Sequence, residues 1–524
     1  MHSKMGGEGT NATLHNRASA SPGKERELER RFGLIGFCSL AVAAISAAVR
    51  FPGFLRDAFW QDEVAAARVM SEPTPLAMIR HVARSEATPP LWYALGWLAN
   101  ALGLSPATFR IVSVIAGALL GGLIVILARR TLPLWASVVA GLLVAFGWQF
   151  LMHGRELRAY ELFALATVVF ALLLLEQVSA PAGRGRDAAL VVCVALGSLT
   201  NYFFLLTLGA GLLWIWTEPA LRATRLRLTR LAALGLIPFV AWSPILVRQY
   251  LDQRFAWIGP FDIRRMLDAY WLLFAEHLPA TTGVRDFLPP LALVAVVAGS
   301  IVLFRSSPAG RLVALLALVP FAVESLAWMA GARVFDPRNL IGAGPFAVVA
   351  VAALVARLPR QLAYVAAAAV VSAVALGSFQ AEATASTPYD RVARLLVAEG
   401  WTPADPIVLF GDFFSFRDPL EWYLPGQPAL TLAEPTGKAG CRTVFVVAPR
   451  PGNQRALLAS ESPSANRTAG SVLVARLPLD RIPAAGFWRQ AHILASESLR
   501  PACAGLVDEE RIVSHLRRQR VTGR

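Results

Sequence analysis

The chain has 524 residues, of which 56% are hydrophobic and 16% charged, with a mean hydropathy of +0.51. Those values lie outside the range of soluble domains and make the bilayer the solvent for most of the chain. The net charge of +15 does not mark a nucleic-acid binder, because the basic residues sit in short clusters between apolar runs and not along one polar face.

Apolar stretches of roughly 17 to 25 residues recur from Phe32 to about Phe379, each long enough to cross a hydrocarbon core of about 30 Å as a helix. Helices satisfy their own backbone there, so this part is all-α. Positive loops stay in the cytoplasm, and that rule orders the crossings. Residues 1–31 form a polar cytoplasmic tail with Lys24, Arg26, Arg30 and Arg31 just ahead of an uncleaved anchor, Phe32 to Val49. A loop from Arg50 to about Thr88 is then delivered outside. The run from Pro89 is short and rich in interfacial aromatics, and is expected to lie flat on the outer surface.

Pro106–Leu127 then crosses inward to Arg129 and Arg130, Leu134–Leu151 outward, and Tyr160–Val178 inward to Arg184 and Arg186. Ala188–Thr217 lies between two basic clusters, so an even number of crossings is expected, broken at Thr200-Asn201-Tyr202. Leu231–Val247 leads to an outer loop, and Leu288–Leu303, Leu312–Ala330, Ile341–Ala356 and Leu362–Phe379 complete roughly eleven spans. No internal repeat is visible, which weakens repeat-built transporter folds.

This order leaves residues 380–524 on the extracytoplasmic face, where composition turns to an ordinary mixture. A small α/β domain is expected there, with a helix over Ala393–Glu399 and strands at Pro406–Phe410, Arg442–Val447 and Ser471–Ala475. Four cysteines are too few for a disulfide framework; Cys38 and Cys193 act as small hydrophobes, while Cys441 and Cys503 are open to either a disulfide or two buried thiols.

The polar residues that topology leaves unexplained gather outside. Trp60-Gln61-Asp62-Glu63 places an acidic pair at the membrane surface, where a carboxylate can serve as a base or can simply favour a helix first turn. Glu86 and Thr88 precede Pro89-Pro90, a plain helix start or part of a site. His153-Gly154-Arg155-Glu156-Leu157-Arg158-Ala159-Tyr160 holds two arginines against the charge bias, and an anionic partner such as a lipid phosphate or Asp62 would account for them. The same exception recurs at Arg254, at Arg264-Arg265 ahead of an amphipathic stretch, and at Arg333 and Arg338 in the turn containing Asp336-Pro337. His153 reads as a structural hydrogen-bonder. The sequence carries no glycine-rich phosphate cradle, paired metal-ligand histidines or Gly-x-Ser-x-Gly elbow; no metal ligand is assigned, and a divalent cation is left open.

The order of Trp60-Gln61-Asp62-Glu63, Pro89-Pro90-Leu91-Trp92-Tyr93, Arg155-Glu156-Leu157-Arg158-Ala159-Tyr160 and Asp336-Pro337-Arg338-Asn339 resembles the membrane GT-C glycosyltransferases, in particular the protein mannosyltransferase and lipid A aminoarabinose transferase superfamily. The resemblance covers about residues 32 to 380. It implies an inner-membrane enzyme of the cell envelope that takes a hexosyl or pentosyl group from a polyprenyl-phosphate donor, with inversion, to a glycolipid, glycan or protein acceptor. Asp62 would be the general base and Glu63 its support, while Glu86, Arg155, Arg158, Tyr160, Arg338 and Arg333 would bind donor or substrate. Thr88 and Asn339 depart from the pattern, where relatives often carry His and an aromatic, which leaves substrate identity open. A transporter or lipid flippase is the rival class, with Glu176 and Glu324 as its ionisable candidates; an inactive scaffold of the same fold is a third reading.

Overall fold

A computed structural model describes residues 22–179, 183–255, 258–274, 287–385, 388–410 and 413–433, and four further strands at 443–448, 466–469, 472–478 and 491–496. Cys441 and Cys503, and with them the open disulfide, lie outside the described residues.

The membrane part is helical throughout. In chain order the helices are α1 (Pro22–Arg56), α2 (Gln61–Met70), α3 (Pro75–Ser85), α4 (Leu91–Ala101), α5 (Pro106–Phe109), α6 (Ile111–Ala128), α7 (Leu134–Phe146), α8 (Trp148–His153), α9 (Tyr160–Ser179), α10 (Arg184–Thr200), α11 (Phe204–Thr217), α12 (Arg225–Gly235), α13 (Ile237–Leu251), α14 (Ile263–Phe274), α15 (Leu288–Phe304), α16 (Pro308–Met329), α17 (Gly344–Val355) and α18 (Arg360–Ala385). By length and composition five of these segments can cross a bilayer, namely Gly33–Phe54, Pro106–Ala128, Tyr160–Val178, Pro308–Met329 and Arg360–Gln380, and the pair α12 and α13, bent by 53°, makes a sixth. The helices α7, α11, α15 and α17 are apolar but shorter; at about 1.5 Å per residue, α7 alone reaches only about 20 Å.

Burial separates centre from rim. The Pro106–Ala128 window is 61% buried, against 22% for Gly33–Phe54 and 28% for Arg360–Gln380, so the latter two face outward. Small residues let α1 and α6 approach: Ser46 Oγ donates to the Gly117 carbonyl at 2.8 Å and Ser39 Oγ to that of Gly122 at 2.9 Å. A Cβ on Gly299 would overlap the Ala350 carbonyl, which fixes how closely α15 and α17 pack.

Three expectations are corrected. The first outer loop does not begin at Arg50, because α1 runs on to Arg56 and Arg50 is fully buried, its Nη2 2.9 Å from Glu161 Oε1. The predicted Leu134–Leu151 crossing is two helices, divided at Gly147, where a Cβ would press on the Leu143 carbonyl and the Phe150 ring. Arg50 donates to the carbonyls of Val144 (3.3 Å) and Ala145 (3.2 Å) that this break leaves open. Ile341–Ala356 likewise divides, into a single 3₁₀ turn, Asn339–Gly342, and α17.

Beyond residue 385 come α19 (Tyr389–Ala398) and α20 (Phe413–Tyr423), with a six-stranded sheet of β1 (Ile407–Phe410), β2 (Leu430–Ala433), β3 (Thr443–Ala448), β4 (Asn466–Ala469), β5 (Val472–Pro478) and β6 (Ala491–Ser496) in the order β2-β6-β1-β3-β5-β4. Among the described strands only β1 and β3 run parallel, with Val408 opposite Val446; the other pairings are antiparallel. Buried Val392, Leu396, Ile407, Leu409, Leu420 and Val447 form the core of this layer, and Ala58 and Trp60 from the segment between α1 and α2 pack against it.

Candidate active site

The first turn of α2 carries an acidic pair, Asp62 and Glu63, whose members part company. Glu63, third in α2, accepts from the Trp60 amide at 3.3 Å, as a first-turn carboxylate does. It is 1% exposed. Its oxygens take Arg110 Nε at 2.7 Å and Nη2 at 2.5 Å, and the Leu157 amide at 2.6 Å. Arg110 also donates to the Asp57 carbonyl at 2.6 Å and lies 4.4 Å from the Phe59 ring centre. Burial pushes the Glu63 carboxyl up from its ordinary value, and Arg110 and the Leu157 amide pull against that. Glu63 therefore ties α2, the start of Pro106–Ala128 and the 154–159 turn together.

Asp62 turns the other way. Its side chain is 30% exposed and its Oδ2 lies 3.2 Å from Arg338 Nη1. Arg338 is shared: its Nε donates to Asp336 Oδ1 at 3.2 Å, and its own amide to the same oxygen at 3.0 Å. Asp336 is also paired with Arg265 of α14. The turn is held by Phe335, fully buried with its ring stacked on Trp328 of α16 at 4.9 Å, and by Asn339 Nδ2 donating to the Val334 carbonyl at 2.9 Å.

Arg158 closes the network from the 154–159 turn. Its Nη1 donates to the Asp62 carbonyl at 3.2 Å, to the Tyr93 hydroxyl at 3.3 Å and to Glu86 Oε2 at 3.5 Å. Burial holds the Tyr93 hydroxyl well above its ordinary range, so it stays protonated and donates to Glu86 Oε2 at 2.6 Å. Thr88 Oγ1 lies 3.0 Å from the same hydroxyl. His153 is fully buried between Glu156 and Gln149, with its ring 4.3 Å from that of Tyr160.

Beside this network lies a cavity of about 460 Å³. Arg155, Arg265 and Arg338 contribute guanidinium groups to its wall, Trp60 and Trp148 an apolar side, and Tyr389 the one contribution from the described residues beyond 385. Arg155 is 5% exposed and its Nε lies 3.2 Å from Asp57 Oδ2. A Cβ on Gly53 would overlap Arg155 Cδ, so that glycine makes room for the arginine.

The residues singled out in the sequence are thus placed as follows. Asp62, Glu86, Arg158 and Arg338 join one bonded network; Arg155 and Arg338 line the cavity; Glu63 is in its wall but engaged with Arg110. Tyr160 is 7% exposed against His153 and does not line the cavity. Arg333 is exposed beside a second cavity of about 360 Å³, with Tyr250, Gln253 and Phe255. Arg110 was not anticipated, nor the side-by-side placement of Arg265 with Arg338. Among the described residues no three or more His, Cys, Asp or Glu side chains gather as a metal site.

No protein-family model and no curated protein matches the chain. Among solved structures it is similar to ArnT from Cupriavidus metallidurans bound to undecaprenyl phosphate, at 12% identity and a TM-score of 0.46, over 87% of this chain and 99% of that one. It is also similar to the archaeal oligosaccharyltransferase AglB from Archaeoglobus fulgidus in complex with an inhibitory peptide and a dolichol-phosphate, at 12% identity and a TM-score of 0.41, over 70% of this chain and 58% of that one.

Proposed function

We propose that the chain is an integral membrane glycosyltransferase that moves a sugar, with inversion, from a polyprenyl-phosphate donor to an acceptor hydroxyl at the extracytoplasmic face of the inner membrane. The observation that carries this reading is Arg338, held between Asp62 and Asp336 at the wall of a cavity that Arg155 and Arg265 also line. A phosphate entering the cavity offers Arg338 a stronger, forked partner than Asp62, at 3.2 Å and 30% exposed, provides. Displaced from Arg338, Asp62 becomes available as a base.

Asp62 then takes the acceptor hydroxyl's proton, the oxygen bonds to the anomeric carbon, and the carbon–oxygen bond to phosphate breaks on the opposite side. The electron pair leaves with the phosphate onto the arginines, which stabilise a leaving group that is already an anion. Arg158, Glu86 and Tyr93 hold the Asp62 backbone in position, and Glu63 fixes the helix that presents it. In this reading roughly eleven spans cover residues 32–379, residues 1–31 are cytoplasmic, and residues 380–524 form an extracytoplasmic α/β domain.

The test is mass spectrometry of cell-envelope glycolipids and glycoproteins from cells with and without the chain, complemented by wild type or by Asp62→Asn. Wild type restores the missing product and Asp62→Asn inserts into the membrane but does not restore it. Full restoration by Asp62→Asn would end the general-base assignment. Cysteines introduced beside Asp62, Arg155 and Arg338 react with an impermeant reagent from outside; labelling only after lysis would invert the topology.

The rival reading as a transporter or flippase has one observation of its own. Glu324 within α16 is 1% exposed, and neither carboxylate oxygen has a hydrogen-bond partner among the described residues. Proton-coupled uptake lost in Glu324→Gln but intact in Asp62→Asn would favour that reading.

A further inference from the structure

Four carboxylates line the cavity: Asp57, Glu63, Glu156 and Asp336. Three are matched by arginines, Asp57 by Arg155, Glu63 by Arg110, and Asp336 by Arg265 and Arg338. Glu156 meets no arginine among the described residues. Its Oε2 lies 2.8 Å from Nδ1 of His153, whose Nε2 lies 2.9 Å from Gln149 Oε1. The Glu156 backbone is tied down as well, its carbonyl accepting from Ser113 Oγ at 2.7 Å.

A carboxylate bonded to a buried histidine that is itself braced by Gln149, on a backbone held by Ser113, is pre-organised, and its one side-chain bond comes from the His153 side. His153 is fully buried and occupies one carboxylate oxygen, while Oε1 has no hydrogen-bond partner among the described residues and the residue borders the cavity. An unmatched acceptor on the wall of a cavity whose other three carboxylates are matched by arginines suits the part of a substrate that brings O–H or N–H groups. A phosphate brings none. On a lipid-phosphate sugar, the sugar ring is the part that does.

We propose that Glu156 is the sugar-reading residue of the donor cavity, accepting hydrogen bonds from ring hydroxyls or an amino substituent of the donor sugar, with His153 and Gln149 aiming it. This rests on the lipid-phosphate reading above. The arginines grip the phosphate whatever sugar it carries, and Glu156 distinguishes a loaded donor from the bare lipid phosphate left after transfer. A bare product held without that contact is released more readily than a loaded donor, which favours exchange.

The full chain in detergent micelles or nanodiscs is titrated with undecaprenyl phosphate, and with undecaprenyl-phosphate carrying glucose, mannose, galactose or a pentose. Wild type binds bare lipid phosphate and binds at least one loaded form about tenfold more tightly; Glu156→Gln and Glu156→Leu bind bare lipid phosphate as wild type does and lose most of that increment. Unchanged bare-lipid binding by the variants also reports that the site has folded. An increment retained by both variants, or no increment for any loaded form in wild type, overturns the assignment to Glu156 and leaves the donor class standing. No binding of undecaprenyl phosphate in any form by wild type overturns the donor class itself, and the assignment with it.

Discussion

Glu63→Gln is a perturbation of nearly constant volume whose cost follows from the contacts. The carboxylate accepts four hydrogen bonds, two from Arg110 and one each from the amides of Trp60 and Leu157, with both partners of the ion pair almost wholly buried. The amide places an NH₂ where one of those donors points, and leaves the Arg110 guanidinium buried without a counter-charge. Breaking a buried pair on one side costs about 3–5 kcal/mol, so Glu63→Gln loses about that much stability in equilibrium unfolding of the solubilised protein. Glu63→Gln combined with Arg110→Gln loses less than the sum of the single changes, by about 1–3 kcal/mol, because the second substitution removes the stranded charge. Stability of Glu63→Gln within about 0.5 kcal/mol of wild type would refute the view that this pair holds the site together.

Asp62→Asn, one residue earlier, should change stability by no more than about 1 kcal/mol, since its pair with Arg338 is partly exposed; parallel unfolding curves check this. Arg338→Lys keeps charge but loses the fork, and undecaprenyl phosphate titration should show affinity weakened about tenfold. Gly53→Ala should leave stability near wild type but displace Arg155, a flexible side chain, and lower affinity in the same titration. Gly299→Ala drives a Cβ into the Ala350 backbone carbonyl, which cannot swing aside, and should cost about 1–3 kcal/mol in unfolding without changing lipid-phosphate affinity.

Features with a local cause were readable in the chain. The predicted Leu288–Leu303 run is α15, Leu288–Phe304, and the break predicted at Thr200-Asn201-Tyr202 falls where α10 ends at Thr200. Strands read at 406–410 and 442–447 appear at Ile407–Phe410 and Thr443–Ala448, since short apolar runs of β-branched residues carry their own signal. The break at Gly147 and the deep course of α1 past Arg50 were hidden: a charged residue ends a hydropathy window whether it meets water or a buried Glu161. Within the candidate site, the turns picked out in the sequence for their arginines, 154–159 and the one containing Arg338, are turns that the structure brings to Asp62. What Glu63 does could not be read, because Arg110 is 47 residues away in the chain and only folding brings them together. Neighbouring acids in sequence point to opposite sides of a helix start, so adjacency said nothing about shared duty.

The last helix before the second strand, α20, reaches back to the Asp62 segment. Tyr423 Oη accepts from the Phe59 amide at 2.7 Å, Arg68 Nη2 meets Glu421 Oε2 at 2.6 Å, and Phe59 and Trp422 lie ring to ring at 6.0 Å. Trp422 and Tyr423 pack onto the cluster that contains Phe59, Val64 and Trp92, just as Trp60 packs onto the sheet side. A cut near residue 385 would strip an apolar lining from the very segment that presents Asp62. The two halves cannot be swapped between relatives like beads on a string: a chimera that exchanges the tail has to carry the Phe59–Arg68 stretch with it.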